Sequence, residues 1–269
     1  MAKTEILLSC MFLQDSGDMI NRSHIVSDTV IINQCDENGY KEELTGKAHI
    51  RTFSVTDRGL TKSRNLAISK SDADICIICD DDEVFSDSYN DAIKKAYDSI
   101  PDADIIIFDM VGRTAKWGNK INKLGYIDLM SVSSWQITFR REKLLQSGVL
   151  FDENMGAGSG NGAEEEFRFL TQCRKAKLRI YHYPFELASV AQTQSTWFRG
   201  YDEVFFVNRG NTTRYIMGLF LSVLYAAYYS FSKRKLLNNG ITPFKAFRYT
   251  LKGIKENRLS KLKKDNKNG

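Results

Sequence analysis

Between Ile75 and Phe85 the chain reads I-C-I-I-C-D-D-D-E-V-F, five residues of apolar strand character running straight into Asp80, Asp81, Asp82 and Glu83. An apolar run of this length without polar alternation is the pattern of a strand covered on both faces, as in a parallel sheet. Four carboxylates at its end would gather like charges at the carboxyl edge of that sheet, which is costly unless a cation or a bound group neutralises them. In open α/β sheets the same edge is where ligands bind. Two readings fit the residues. One is a divalent-cation and phosphate site around Asp80-x-Asp82, since hard oxygen ligands suit Mg2+ or Mn2+. The other is a solvated acidic turn that caps the following helix.

The flanking segments decide what sheet this strand belongs to. Glu5–Leu13 and Asp28–Asn33 read as buried strands, the second leading into a polar turn that holds Asp36, and His49–Val55 is a weaker third. After Gly59, the spacing of Leu60, Ser63 and Ala67 predicts a helix over Leu60–Lys70. Asp87 can cap a helix running to Ile100, with Tyr89, Ile93, Ala96 and Tyr97 on its apolar face, and Ala103–Phe108 follows as a fifth strand. Alternation of strand and helix predicts an α/β fold with a mostly parallel, doubly wound sheet and helices on both faces. Further on, Ser131–Arg140 reads as a strand and Arg141–Ser147 as a short helix closed by Gly148. The glycine-rich Met155–Gly162 reads as a loop leading into Glu164-Glu165-Glu166 and a helix to about Lys175. Leu178–Tyr183 is a late strand ending at Pro184.

Charge is unevenly spread. The formal net charge is +5, yet the stretch from Ser232 to Gly269 has 12 Lys/Arg against two acids, so the remainder is mildly acidic. A surface that binds nucleic acid throughout is excluded; a basic tail beside an anionic membrane is not. Ile216–Phe231 is a 16-residue stretch without a charge, short of the roughly 20 residues needed to span a bilayer. With the tail it would form an interfacial pair of helices, aromatics at the headgroups and Lys/Arg on anionic lipid, or else pack on the domain with the tail solvated. The odd number of cysteines, mostly in apolar strands, and the lack of a signal-peptide pattern predict a reduced, cytoplasmic chain. Cys76 and Cys79 point to opposite faces of a strand, and with three histidines in the chain zinc is not expected.

Three further groups could carry chemistry. A carboxylate among Glu164–Glu166 could serve as a general base, or these residues form a charged first helical turn. In G-L-T-K-S-R-N, Arg64 could pair with phosphate or with the strand-end acids and Asn65 with a nearby loop, or both lie on an exposed polar face. Trp135 and Trp197, the latter near Arg199, could offer aromatic faces to a sugar or anchor loops.

Taken in order, R-G-L-T-K-S-R-N-L-A-I (Arg58–Ile68), D-I-C-I-I-C-D-D-D-E-V-F (Asp74–Phe85), G-S-G-N-G-A-E-E-E-F (Gly158–Phe167) and S-T-W-F-R-G-Y (Ser195–Tyr201) resemble the motifs of family-two glycosyltransferases with the GT-A fold, over about Glu5 to Gly210. The resemblance implies a GT-A domain over residues 1–212, with a donor half to about 110 and an acceptor half from 111, and a helical, basic extension over 213–269. It implies inverting transfer of a sugar from a nucleotide-diphosphate donor to a hydroxyl of a saccharide or lipid-linked saccharide, with Mn2+ or Mg2+ as cofactor. The place would be the inner face of the plasma membrane, and the product a surface polysaccharide or glycolipid. By motif position Asp82 would hold the metal. Asp36, Arg64, Asp80 and Asp81 would line the donor site. Glu165, after Glu164, would be the catalytic base, with the register open by one residue. Trp135, Trp197 and Arg199 remain candidates for the acceptor side or for loop anchors.

The chain departs from the family pattern after its first two strands, where Cys10-Met11-Phe12-Leu13 and Asn33-Gln34-Cys35-Asp36 stand. It also lacks a histidine before S-T-W, having Ala191-Gln192-Thr193-Gln194. Those departures leave a second class open, a GT-A-like protein that binds a nucleotide or partner without turnover. A phosphotransferase with Asp80 as nucleophile is a third.

Overall fold

The computed structural model describes residues 2–113, 116–161, 164–190, 200–233 and 240–262. In chain order the elements are β1 (Thr4–Met11), α1 (Ser16–Arg22), β2 (Asp28–Gln34), β3 (Gly39–Thr45), β4 (Ala48–Val55), α2 (Leu60–Lys70), β5 (Ile75–Asp80), β6 (Glu83–Phe85), α3 (Tyr89–Ser99), β7 (Ile105–Met110), β8 (Asn122–Lys123), β9 (Ile137–Arg140), α4 (Arg141–Ser147), α5 (Glu165–Lys175), β10 (Ile180–Val190), α6 (Glu203–Met217), α7 (Leu219–Ser232) and α8 (Pro243–Glu256). They fall into two compact units, Met1–Glu153 with Glu165–Thr193, and Asn154–Glu164 with Gln194–Gly269.

The first unit is built on one sheet of order β3-β4-β2-β1-β5-β9-β7-β10-β6, with β8 beside β10. Strands β4, β2, β1 and β5 are mutually parallel, so their carboxyl ends share one edge. This is the α/β architecture expected, with its parallel core where the continuous apolar runs lie. Ile6, Leu8, Ile31, Ile77 and Cys79 are fully or nearly fully buried, as two-sided coverage requires.

Antiparallel strands extend the core. Strand β9 lies between β5 and β7, antiparallel to both. Of the predicted Ser131–Arg140 segment only the last four residues are strand; Ser131 and Ser134–Gln136 lie in short 3-10 turns. The edge strand β3, G-Y-K-E-E-L-T, has no apolar alternation and escapes a periodicity search; a hairpin at Gly46 (φ +62°) holds it to β4. Its charges keep an open edge from pairing with another chain. The late strand does not stop at Pro184. It continues to Val190 because the register against β7 shifts between Tyr183 and Glu186, and a bulge accommodates a residue without an N–H. The residue before α3 is Ser88, in the left-handed region, rather than a capping Asp87.

The second unit is helical. The charge-free stretch predicted from Ile216 is broken at Gly218, where α6 ends and α7 begins. Helices α6 and α8 cross backbone to backbone: a Cβ on Gly210 would lie 2.1 Å from the Thr250 carbonyl oxygen, and one on Gly253 2.0 Å from that of Val207. Thr242 caps α8 and Pro243 opens it, the ordinary start signal of a helix.

Candidate functional site

Helix α2 delivers Arg64 to the carboxyl end of β5. The helix begins at Gly59, whose φ of +129° only glycine adopts readily, and whose N–H donates to Gln34 Oε1 at 2.7 Å. That bond ties the helix start to the end of β2. One turn on, the Arg64 side chain is 1 % exposed. Its Nη2 donates to both Asp80 oxygens at 3.0 Å and its Nη1 to Glu166 Oε1 at 3.1 Å, with Glu165 Oε1 at 3.7 Å. The guanidinium lies over the Phe151 ring at 5.4 Å, and its Nε is buried without a hydrogen-bond partner. Asn65, the next residue, clamps the following segment: it accepts from Phe151 N–H at 2.9 Å and donates to the Phe151 carbonyl at 3.0 Å and to Glu153 at 3.1 Å. The loop contact expected for Asn65 is therefore present, and Arg64 meets the strand-end acids rather than facing solvent.

Asp80 is held on two sides, since Ser134 Oγ also donates to its Oδ2 at 3.0 Å. Its N–H donates to Glu83 Oε1 at 2.9 Å, closing the acidic turn, while Glu83 Oε2 is buried and unpartnered. Asp81 and Asp82 sit at the exposed tip of that turn. Partial desolvation against the turn and then the charge of Asp80 push both carboxyls up, and Asp81 adds to the effect on Asp82. Glu83 is pushed well up by burial and by Asp80.

The E-E-E run divides between the units. Glu165 and Glu166 open α5 and join Arg64 in the first unit. Both carboxyls are raised, first by burial, with Glu166 adding to the rise at Glu165 and Arg64 opposing it at each. Burial works against the Arg64 charge, but Asp80, Glu166 and Glu165 outweigh it and raise its pKa. Glu164 belongs to the second unit, with φ +68°, and pairs with Arg209 at 3.0 Å while accepting from Thr212 Oγ1 at 3.2 Å.

Asp36 is exposed at the end of β2, paired at 2.8 Å with Arg58, which also donates to the Cys35 carbonyl and lies over Phe12 at 5.0 Å. Phe12 is half exposed with φ +50°, directly after β1. Asp36, Phe12 and Asp80 thus follow three adjacent parallel strands at one sheet edge. Trp135 sits in the 3-10 turn beside Ser134, its Nε1 buried and unpartnered. Trp197 and Arg199 lie outside the described residues, as does the Ala191–Gln194 segment. Glu83 and Glu166 stand inside the two acid runs that the sequence singles out, Glu166 within reach of the open register, whereas Ser134 and Phe12 carry no local signal.

Among the described residues no three His, Cys, Asp or Glu side chains form a ready-made ion cage. What the site does hold is three carboxylates on one guanidinium, with three more acids on the adjoining turn. The set is all oxygen, it is rich in carboxyls, and two of its members are exposed, so its donor chemistry fits a hard divalent cation.

No protein-family model and no curated protein sequence matches the chain. Solved structures do. The chain is similar to residues 1–349 of S. aureus TarS in complex with UDP-GlcNAc, at TM-score 0.58 and 11 % identity, covering 94 % of this chain and 71 % of that one. It is similar to the same TarS segment in complex with UDP, at TM-score 0.54 and 12 % identity over 94 % and 70 %. It is also similar to the mannosyltransferase PcManGT from Pyrobaculum calidifontis in complex with GDP-Man and Mn2+, at TM-score 0.50 and 14 % identity over 93 % and 69 %. The fold is accordingly α/β of the GT-A type with C-terminal helices.

Proposed function

We propose that this chain is a glycosyltransferase that moves a sugar from a nucleotide-diphosphate donor to an acceptor hydroxyl, with inversion and with Mn2+ or Mg2+. The observation that carries the reading is the buried Arg64 cluster: a strand-end acidic turn and a helix-start glutamate pair share one guanidinium at the ligand-binding edge of the sheet. Similarity to folds solved with UDP-GlcNAc and with GDP-Man supports a nucleotide-sugar donor. The transferase domain covers about residues 1–212.

In this reading Asp82, helped by Asp81, would hold the cation, which would neutralise charge growing on the departing diphosphate. Asp36 and Arg58 meet the nucleoside beside Phe12. Arg64 fixes Asp80 and orients the Glu165–Glu166 pair, so the charge pattern is preset before substrate arrives. The acceptor oxygen attacks the anomeric carbon, the bond from that carbon to the diphosphate oxygen breaks with its electron pair, and the acceptor proton passes to Glu165. A carboxyl raised by burial accepts that proton near neutral pH better than an ordinary one. Of the pair, Glu165 has the looser contact with Arg64, which leaves it the freer to act as base. Asp80 is a poor candidate for a phosphotransferase nucleophile because Arg64 and Ser134 hold its oxygens. The acceptor class is a saccharide or lipid-linked saccharide on the cytoplasmic face of a membrane, in surface polysaccharide or glycolipid synthesis.

The test compares E165Q and E166Q by calorimetric titration with UDP- and GDP-sugars in Mn2+ and by transfer assay. Donor binding should stay within a few-fold in E165Q while transfer falls by about 10²–10⁴. Undiminished transfer in E165Q with loss in E166Q would move the base by one residue. Absence of donor binding by the unaltered chain with metal present would sink the reading.

A further inference from the structure

Helix α7 is turned inside out. Its small residues Ser222, Ala226 and Ser230 are buried at 0 % exposure, while Phe220 (74 %), Leu224 (53 %), Tyr228 (56 %) and Phe231 (42 %) form a stripe on the opposite side. At 3.6 residues per turn those four lie on one face, so the helix buries its least apolar side and presents its most apolar one. Helix α8 repeats the arrangement with different chemistry. Ala246, Thr250, Gly253 and Ile254 point inward, whereas Phe244, Lys245, Arg248, Lys252 and Lys255 are exposed on the outer side. The two outer faces meet where the Phe231 and Phe244 rings touch, centroids 5.3 Å apart.

We propose that this combined face docks on an anionic lipid surface, α7 lying in the headgroup plane with its stripe inserted and α8 placing its cations on lipid phosphates. The reasons are in the two helices. Contiguous exposed apolar side chains mark an interaction surface, and a cationic flank fits one negative in charge. Helix α7 carries no charge, and of the outer cations on α8 Lys252 is answered by an acid, Glu203 at 2.9 Å. Association of two copies through this face would bring two cationic α8 faces into one interface, where the described acids nearby, Glu203 and Glu256, are already engaged with Lys252 and Arg258. Crossing the bilayer is not what the helix does. Its 14 residues reach about 21 Å, and among the described residues no helix is long and apolar enough to span a membrane.

The experiment is flotation of the full chain with vesicles of phosphatidylcholine alone and of phosphatidylcholine and phosphatidylglycerol in equal parts, without any donor, so its outcome is independent of the transfer reading. Binding to the anionic vesicles should be at least about tenfold stronger and should fall with added salt. F220S/L224S, which alters only outward side chains and should keep its circular dichroism and Tm, should lose at least about tenfold on both vesicle types. K245E/R248E should lose mainly the preference for anionic lipid. The proposal is overturned if the unaltered chain stays unbound, if both variants float as it does, or if sedimentation shows a dimer that F220S/L224S dissolves while vesicles capture nothing.

Discussion

Two arginines organise the two units, Arg64 buried and Arg209 partly so, and the glutamates around both come from the same E-E-E run. Arg209 has Glu164 at 3.0 Å, the Tyr225 hydroxyl at 3.1 Å and the Tyr229 ring at 4.3 Å. One cation meets one anion inside an aromatic box, and the account closes without a ligand. Arg64 has Asp80, Glu165 and Glu166 around it and Asp81, Asp82 and Glu83 next in line. There the account does not close: the carboxyls of Glu83, Glu165 and Glu166 are raised, and Glu83 Oε2 is left without a partner. A balanced pair holds helices together; at the sheet edge more carboxyls gather than one guanidinium answers, which is the imbalance the proposed function uses.

The sharpest way to break this comparison is to remove each cation. R64M should lose about 3–5 kcal/mol in chemical denaturation, since it strands buried carboxylates. R209M should lose about 2 kcal/mol, because its acidic partner is single and Arg209 is itself less deeply buried than Arg64. Adding E164Q to R209M should recover most of that loss, whereas adding E166Q to R64M should recover little, as Asp80 and Glu165 stay uncompensated. Equal rescue in both pairs would mean that the Arg64 cluster is as balanced as the other.

Next in size is a change confined to the second unit. G253A forces a Cβ to 2.0 Å from the Val207 carbonyl oxygen, so α6 and α8 must part. A loss of about 1–3 kcal/mol is expected, read as a lower Tm, with donor binding in the first unit retained. An unchanged Tm would show that the helix crossing has slack.

The smallest effect is a pH slope that belongs to the Arg64 cluster. Glu165 and Glu166 are raised above their ordinary value of 4.5, so between that value and the raised ones the folded chain binds more protons than the unfolded one. Stability should therefore fall as pH rises through this window, by at most about 1.4 kcal/mol per pH unit for each carboxyl. E165Q should flatten the slope, and divalent cation should flatten it further by stabilising the charged forms. A slope that rises with pH, or one indifferent to E165Q, would place the excess charge elsewhere.

Much of the site was legible along the chain. Asp80–Glu83 stand at the end of β5, and Leu60–Lys70 is a helix over the predicted residues, because apolar continuity and helical spacing are local properties. Arg64 could be suspected of meeting the strand-end acids for the same reason. Glu166 as its closest glutamate could not be read, since which of three consecutive glutamates faces an arginine 102 positions away depends on how α5 docks. Strand β3 was missed because its residues are those of an exposed edge, and the reach of β10 past Pro184 because a bulge rescued the missing donor.

By itself, then, the sequence determined the α/β order, the parallel core, the acidic strand end and the uneven charge, all of which rest on residues near one another in the chain. Tertiary structure alone decided the division of Glu164 from Glu165 and Glu166 between two arginines, the locking of Asp80 by Ser134, and the outward turn of the α7 stripe. A buried charge takes the partners that folding brings within a few ångströms, and a helix shows outward whatever its packing partners leave uncovered. Neither is a property of any window of sequence.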